Sequence, residues 1–137
     1  MTVLLVDAAN VVGSRPDGWW RDRAGATGRL LSRLAGLSGR TLTAPDGSLV
    51  RCDRVVAVVE GKARDVHAPV GVEVVRAPGS GDDALAGCAP RLGAAGTSLL
   101  VVTADRGLRA RLPPGTPVAG PGWLLTALDE MGCAPPA

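Results

Sequence analysis

The sequence predicts a three-layer α/β/α domain on a mainly parallel sheet of about five strands. Two observations carry that expectation. The runs Val3–Val6, Val55–Val59 and Leu99–Val102 are apolar at every position, as strands covered on both faces must be. Between them, apolar residues recur at three and four positions, the period of a helix with one buried face. A chain of 137 residues, 46% apolar and 20% charged, has the size and make-up of one ordinary globular domain. We therefore expect a single domain over residues 1–132 and a frayed tail at 133–137.

The elements follow in order. Val3-Leu4-Leu5-Val6 makes the first strand, closed by Asp7. Trp20, Ala24, Thr27, Leu31 and Leu34 line one face of a helix, with Asp17 as its N-cap and Gly36 and Gly39 where it stops. Arg40 to Arg51 is a polar loop, or a hairpin turning over Pro45-Asp46-Gly47. Val55–Val59 is the second strand, closed by Glu60, and Val72–Val75 a shorter third, followed by the turn Pro78-Gly79-Ser80-Gly81. Asp82 and Asp83 open a helix from Ala84 to about Leu92, one of them as its cap, and Pro90 bends or shortens it. Leu99–Val102 runs into Thr103-Ala104-Asp105, a short helix covers Arg106–Leu112, and Thr116–Ala119 is an edge strand. Pro121 suits the first turn of a last helix that buries Leu124, Ala127, Leu128 and Met131 and is capped by Gly132.

Composition removes several function classes. With no Phe or Tyr, and Trp19, Trp20 and Trp123 as the aromatics, the core is aliphatic. The single histidine, His67, excludes His-rich zinc sites and two-histidine proton relays, and reads as a solvated loop residue. Cys52, Cys88 and Cys133 are odd in number and lack CxxC spacing, which predicts reduced thiols in a cytosolic protein. Val3–Val6 is too short for a signal peptide or a membrane span. A net charge of +2 does not by itself call for a polyanionic partner.

The chemistry is expected at one rim. In open α/β sheets, ligands bind beyond the carboxyl ends of the strands, where strand order reverses. Asp7, Glu60 and Asp105 stand at strand ends, and Asp82 and Asp83 start the helix after the third strand. Taken singly, each Asp also serves as a cap or turn residue, and Glu60 could pair with Lys62 or Arg64. Together they repel, and the commonest reason to gather carboxylates is a divalent cation. Trp19 and Trp20 read as one core anchor and one partly exposed neighbour, with base stacking as the functional alternative. Other motifs fit less well. Gly79-Ser80-Gly81-Asp82-Asp83-Ala84 matches GxGxxA, but its two acids sit where a helix start should receive a pyrophosphate. Ala9 replaces the second acid of DxDxT, and Pro78 stands where a GxSxG elbow needs glycine.

Val6-Asp7-Ala8-Ala9-Asn10, Gly79-Ser80-Gly81-Asp82-Asp83 and Val102-Thr103-Ala104-Asp105-Arg106 resemble, in order, the acidic motifs of the PIN-like nucleases, especially the NYN branch. The stretch Asp7 to Arg23 is most similar to small actinobacterial members, and the match spans Val3 to Leu112. The resemblance implies strand order 3-2-1-4-5 and RNA cleavage with Mg²⁺ or Mn²⁺. By that resemblance Asp7, Asp105 and either Asp82 or Asp83 are catalytic metal ligands, Glu60 matches an acid of some members, and Asn10 and Thr103 support them. Arg15, Arg21, Arg23, Lys62, Arg106 and Arg109, on loops or helix starts, are candidates to hold RNA phosphates. Two other readings share the site: a nucleoside-triphosphate pyrophosphohydrolase, and a non-catalytic RNA- or protein-binding module. A homodimer is left open.

Overall fold

The computed structural model describes residues 1–132; the expected tail at 133–137, with Cys133, lies outside the described residues. Five strands form one sheet: β1 (Thr2–Asp7), β4 (Arg54–Val59), β5 (Glu73–Arg76), β6 (Ser98–Val102) and β7 (Val118–Ala119). All neighbours are parallel, in the order β5-β4-β1-β6-β7. Numbered by sheet strand alone, that is the expected 3-2-1-4-5. The strands β2 (Thr41–Thr43) and β3 (Leu49–Arg51) pair antiparallel as a separate hairpin. Its turn is held by the Asp46 carboxylate, which accepts the Ser48 N–H at 2.9 Å.

Alternation along each strand splits the core in two. Leu4 and Val6 of β1 pack on one face with Leu31 and Leu34 of α2 (Arg23–Ala35) and Leu124 and Leu128 of α5 (Pro121–Gly132). Val3 and Leu5 pack on the other with Leu85 and Ala89 of α3 (Gly81–Leu92) and Leu108 of α4 (Arg106–Ala110). Every residue from Val3 to Val6 and from Val55 to Val59 is buried, which is why these strands carry no polar alternation. Cys52 and Cys88 are free and buried; burial and the neighbouring Asp53 push the Cys52 thiol up to about 11.

Several local expectations need correction. A short helix, α1 (Ala8–Val12), follows β1 directly and was not expected, since five residues are too few to show a helical period. Helix α2 begins at Arg23, not near Asp17. Gly18 takes a left-handed conformation (φ 86°) and a 3₁₀ turn, Trp19–Arg21, intervenes, so the cap is Asp22, which accepts the Gly25 N–H at 2.9 Å. Trp20 and Ala24 are accordingly exposed, and the buried stripe is Thr27, Leu30, Leu31 and Leu34. Ser80, not Asp82 or Asp83, caps α3, accepting the Asp83 N–H at 3.1 Å. Pro90 sits within the last turn of α3 without ending it. The third sheet strand lies one residue later than expected, and β7 and α4 are shorter. Ala127 and Met131 are half-buried, and Gly132 is helical, not a cap. Asp22→Ala should therefore cost about 1 kcal/mol in denaturant unfolding, while Asp17→Ala should cost close to nothing.

Candidate active site

β1 and β6 are the neighbours at which the strand order reverses, and their carboxyl ends are laced together by side chains. Asp7 ends β1 and is only 6% exposed. One of its carboxylate oxygens accepts the Thr103 hydroxyl at 3.0 Å, and the other accepts the Asn10 N–H at 3.4 Å, capping α1. The Thr103 oxygen in turn accepts the Asp105 N–H at 3.1 Å. Asn10 accepts the Ala104 N–H at 2.8 Å through its side-chain oxygen. Asp105 caps α4, accepting the Leu108 N–H at 3.0 Å. This lacing explains why Thr103 can be a buried polar residue: its hydroxyl both donates and accepts.

Helix α3 brings the remaining acid. Asp82, in its first turn, lies within hydrogen-bonding reach of Asp105 and within the electrostatic field of Glu60. Glu60, just after β4, accepts the backbone N–H of Gly81. A Cβ at Gly81 would stand 3.0 Å from the Glu60 carboxyl, so glycine is what lets α3 start against this acid. Burial raises the Asp7 carboxyl above the ordinary 3.8, and the charges of Asp82 and Glu60 add to that, while the Thr103 and Asn10 hydrogen bonds oppose it. Asp82 is also raised, first by desolvation, then by Asp105 and Glu60, with Arg111 opposing.

The two neighbouring aspartates are thus separated by geometry. Asp82 joins the acids, whereas Asp83 is exposed and pairs with Arg111 at 2.8 Å. Arg111 was not among the expected residues. No period in the sequence links the start of α3 to the end of α4, so nothing there could have paired it with Asp83. Arg15 has a carboxylate partner of its own: with Arg33 it grips Asp129 of α5, at 2.9 and 2.7 Å, beside a cleft between α1, α2 and α5. Arg21, Arg106 and Arg109 are exposed, the last two on the helix that Asp105 caps. Arg23 and Lys62 line a cleft that shares Glu60 with the acidic rim. Among the described residues, no three His, Cys, Asp or Glu side chains are grouped as a ready-made metal site.

The raised carboxyls have a stability consequence. Asp7 and Asp82 hold protons more tightly folded than unfolded, so their contribution to metal-free stability falls as pH rises from about 4 through their raised values. Asp82→Asn removes one of the two. In chelator, its melting temperature relative to the parent protein should climb as pH rises from about 4 to about 7, and a difference constant with pH would contradict the strained pair.

No family model and no curated protein matches the chain. Among solved structures it is similar to Rae1 (YacP) from Bacillus subtilis at 19% identity and a TM-score of 0.72, over 96% of this chain and 76% of that one. A tryptophan-to-leucine mutant of Rae1 matches at 20% identity and a TM-score of 0.68, over 96% and 77%. The chain shares its fold with Rae1. The three-layer α/β architecture and its parallel five-stranded sheet are in accord with that likeness. Among the described residues, no helix is long and apolar enough to cross a membrane.

Proposed function

We propose that the chain is a Mg²⁺- or Mn²⁺-dependent ribonuclease of the PIN-like, NYN kind, cleaving phosphodiester bonds at the rim where β1, β6 and α3 meet. The observation that carries this reading is the placement of buried Asp7 with Asp82 and Asp105 along one rim at the point of strand reversal, where Asp82 raises the Asp7 carboxyl and Asp105 raises that of Asp82, each after desolvation. The donor set fits the ion: carboxylate oxygens are hard ligands, suited to Mg²⁺ and Mn²⁺. Asp7, Asp82 and Asp105 would hold it, with Glu60 beside them. When bound, such an ion makes hydroxide available from water near neutral pH and offsets charge on the leaving oxygen.

The chain's own residues do the rest. Thr103 and Asn10 fix the Asp7 carboxylate in one orientation and tie it to the loop that carries Asp105. Arg106 and Arg109, exposed on the helix that Asp105 caps, would offset the repulsion between the acids and an RNA backbone, as would Arg21, exposed in the 3₁₀ turn before α2. Arg15, held by Asp129, is not part of this set.

The test is incubation with end-labelled single-stranded RNA in Mn²⁺ and in chelator, beside a parallel incubation with nucleoside triphosphates. Fragments formed in Mn²⁺ alone support the ribonuclease. Pyrophosphate release from triphosphates, with RNA intact, would move the site to the pyrophosphohydrolase, and no product in either would leave a binding module.

A further inference from the structure

A cleft of about 340 Å³ opens beside the acidic rim, between α1, the start of α2 and the 3₁₀ turn after β4. Ala8, Val12 and Ala63 give it apolar walls, Trp19 an aromatic one, and Arg23 and Lys62 are its cations. Glu60 lines the cleft and also bonds the N-terminus of α3, so the cleft adjoins the acids. Trp20 meets Trp19 edge-on, centroids 5.9 Å apart at 86°, which braces the Trp19 ring. The Arg23 guanidinium lies 5.4 Å from the centre of that ring. Among the described residues neither Arg23 nor Lys62 has a carboxylate partner, unlike Arg15, Arg33, Arg51, Arg54, Arg64 and Arg111.

We infer that this cleft holds one nucleotide of the substrate, its base against Trp19 and its phosphate between Arg23 and Lys62. The chemistry narrows the ligand. A bare phosphate would have no use for an aromatic, apolar wall, and an uncharged apolar ligand none for two unpaired cations. A flat π-system carrying an anion uses both, since bases stack on tryptophan and on arginine planes regardless of sequence. The volume lies at the lower end of small-ligand pockets and suits one nucleotide unit, not a longer segment. The inference rests on the ribonuclease reading for the course of the remaining strand, which would pass from this cleft to the acids. Binding in the cleft itself needs no metal.

The experiment separates the two. Trp20→Phe and Trp123→Phe together leave Trp19 as the single tryptophan, and its fluorescence is followed in chelator as AMP or ribose 5-phosphate is added. AMP should quench it saturably, and ribose 5-phosphate, lacking a base, should not. Adding Lys62→Ala, on an exposed turn where the fold is not at stake, should weaken AMP about three- to tenfold and lessen the salt dependence of binding. Absent or non-saturating quenching, or an affinity untouched by Lys62→Ala, overturns the cleft as a nucleotide site, even if Mn²⁺-dependent cleavage is intact. Saturable binding in a protein that never cleaves RNA would sink the ribonuclease reading and leave this site standing.

Discussion

Asp82→Asn should lower Mn²⁺-dependent RNA cleavage by a factor of about 1,000 or more, while Asp83→Asn should leave it within about twofold. The two residues are adjacent on one helix turn and equal in charge, so bulk electrostatics cannot distinguish them. Position does. Asp82 lies within reach of Asp105 and close to Glu60, and its carboxyl is raised by them and by desolvation. Asp83 is exposed and spends its charge on Arg111 at 2.8 Å. An amide at position 82 keeps the shape of the side chain but removes the charge that a divalent ion would neutralise. The apo protein should be as stable as the parent or slightly more so near neutral pH, because a repelling charge has gone. Initial rates of cleavage, read beside melting curves in chelator, check both halves. Equal losses in the two variants would show that net charge at the start of α3, not a ligand at position 82, is what matters.

Thr103→Val should lower the same activity about 10- to 100-fold and cost about 1–3 kcal/mol of stability. Valine matches threonine in shape, so the loss is chemical. The hydroxyl donates to Asp7 and accepts from the Asp105 N–H, and its removal leaves both partners short of a bond in a site where Thr103 is 1% exposed. Without the donor, the Asp7 carboxyl should rise further, because that hydrogen bond is the largest influence holding it down. The pH at which cleavage reaches half its plateau should then move up relative to the parent. Thr103→Ser restores the hydroxyl and should recover most of the activity and the profile. Denaturant unfolding and a pH–rate series for the three proteins would reveal a merely structural role as lost stability with an unshifted profile.

The sequence showed the sheet clearly because burial on both faces writes itself as unbroken Val and Leu, and those runs became β1, β4 and β6. The acids at their ends were equally legible, since an apolar run stopping at Asp7, Glu60 or Thr103-Ala104-Asp105 marks the carboxyl edge. What could not be read depends on tertiary placement. Helix α1 is one turn long and leaves no period, and the start of α2 is set by a left-handed Gly18 and a 3₁₀ turn that the apolar spacing from Trp20 overrode. Ser80 as the cap of α3, in place of an aspartate, freed both acids from that duty, and only the fold shows that one of them turns to Arg111. Arg15 lies close to Asp7 in sequence, yet its carboxylate partner is Asp129, far along the chain.

The most direct test of the central claim is the Mn²⁺-induced shift in melting temperature of the parent protein against Asp105→Asn. Asn caps a helix about as well as Asp, so the bond to the Leu108 N–H should survive the change, and with one charge fewer against Asp82 the variant should melt at or slightly above the parent in chelator. At Mn²⁺ about a hundredfold above its dissociation constant, the parent should gain about 2.7 kcal/mol by mass action. The variant, with an amide where a charged ligand should stand, should gain little. A full and equal shift in both proteins would make Asp105 a helix cap alone and contradict a metal site built from Asp7, Asp82 and Asp105.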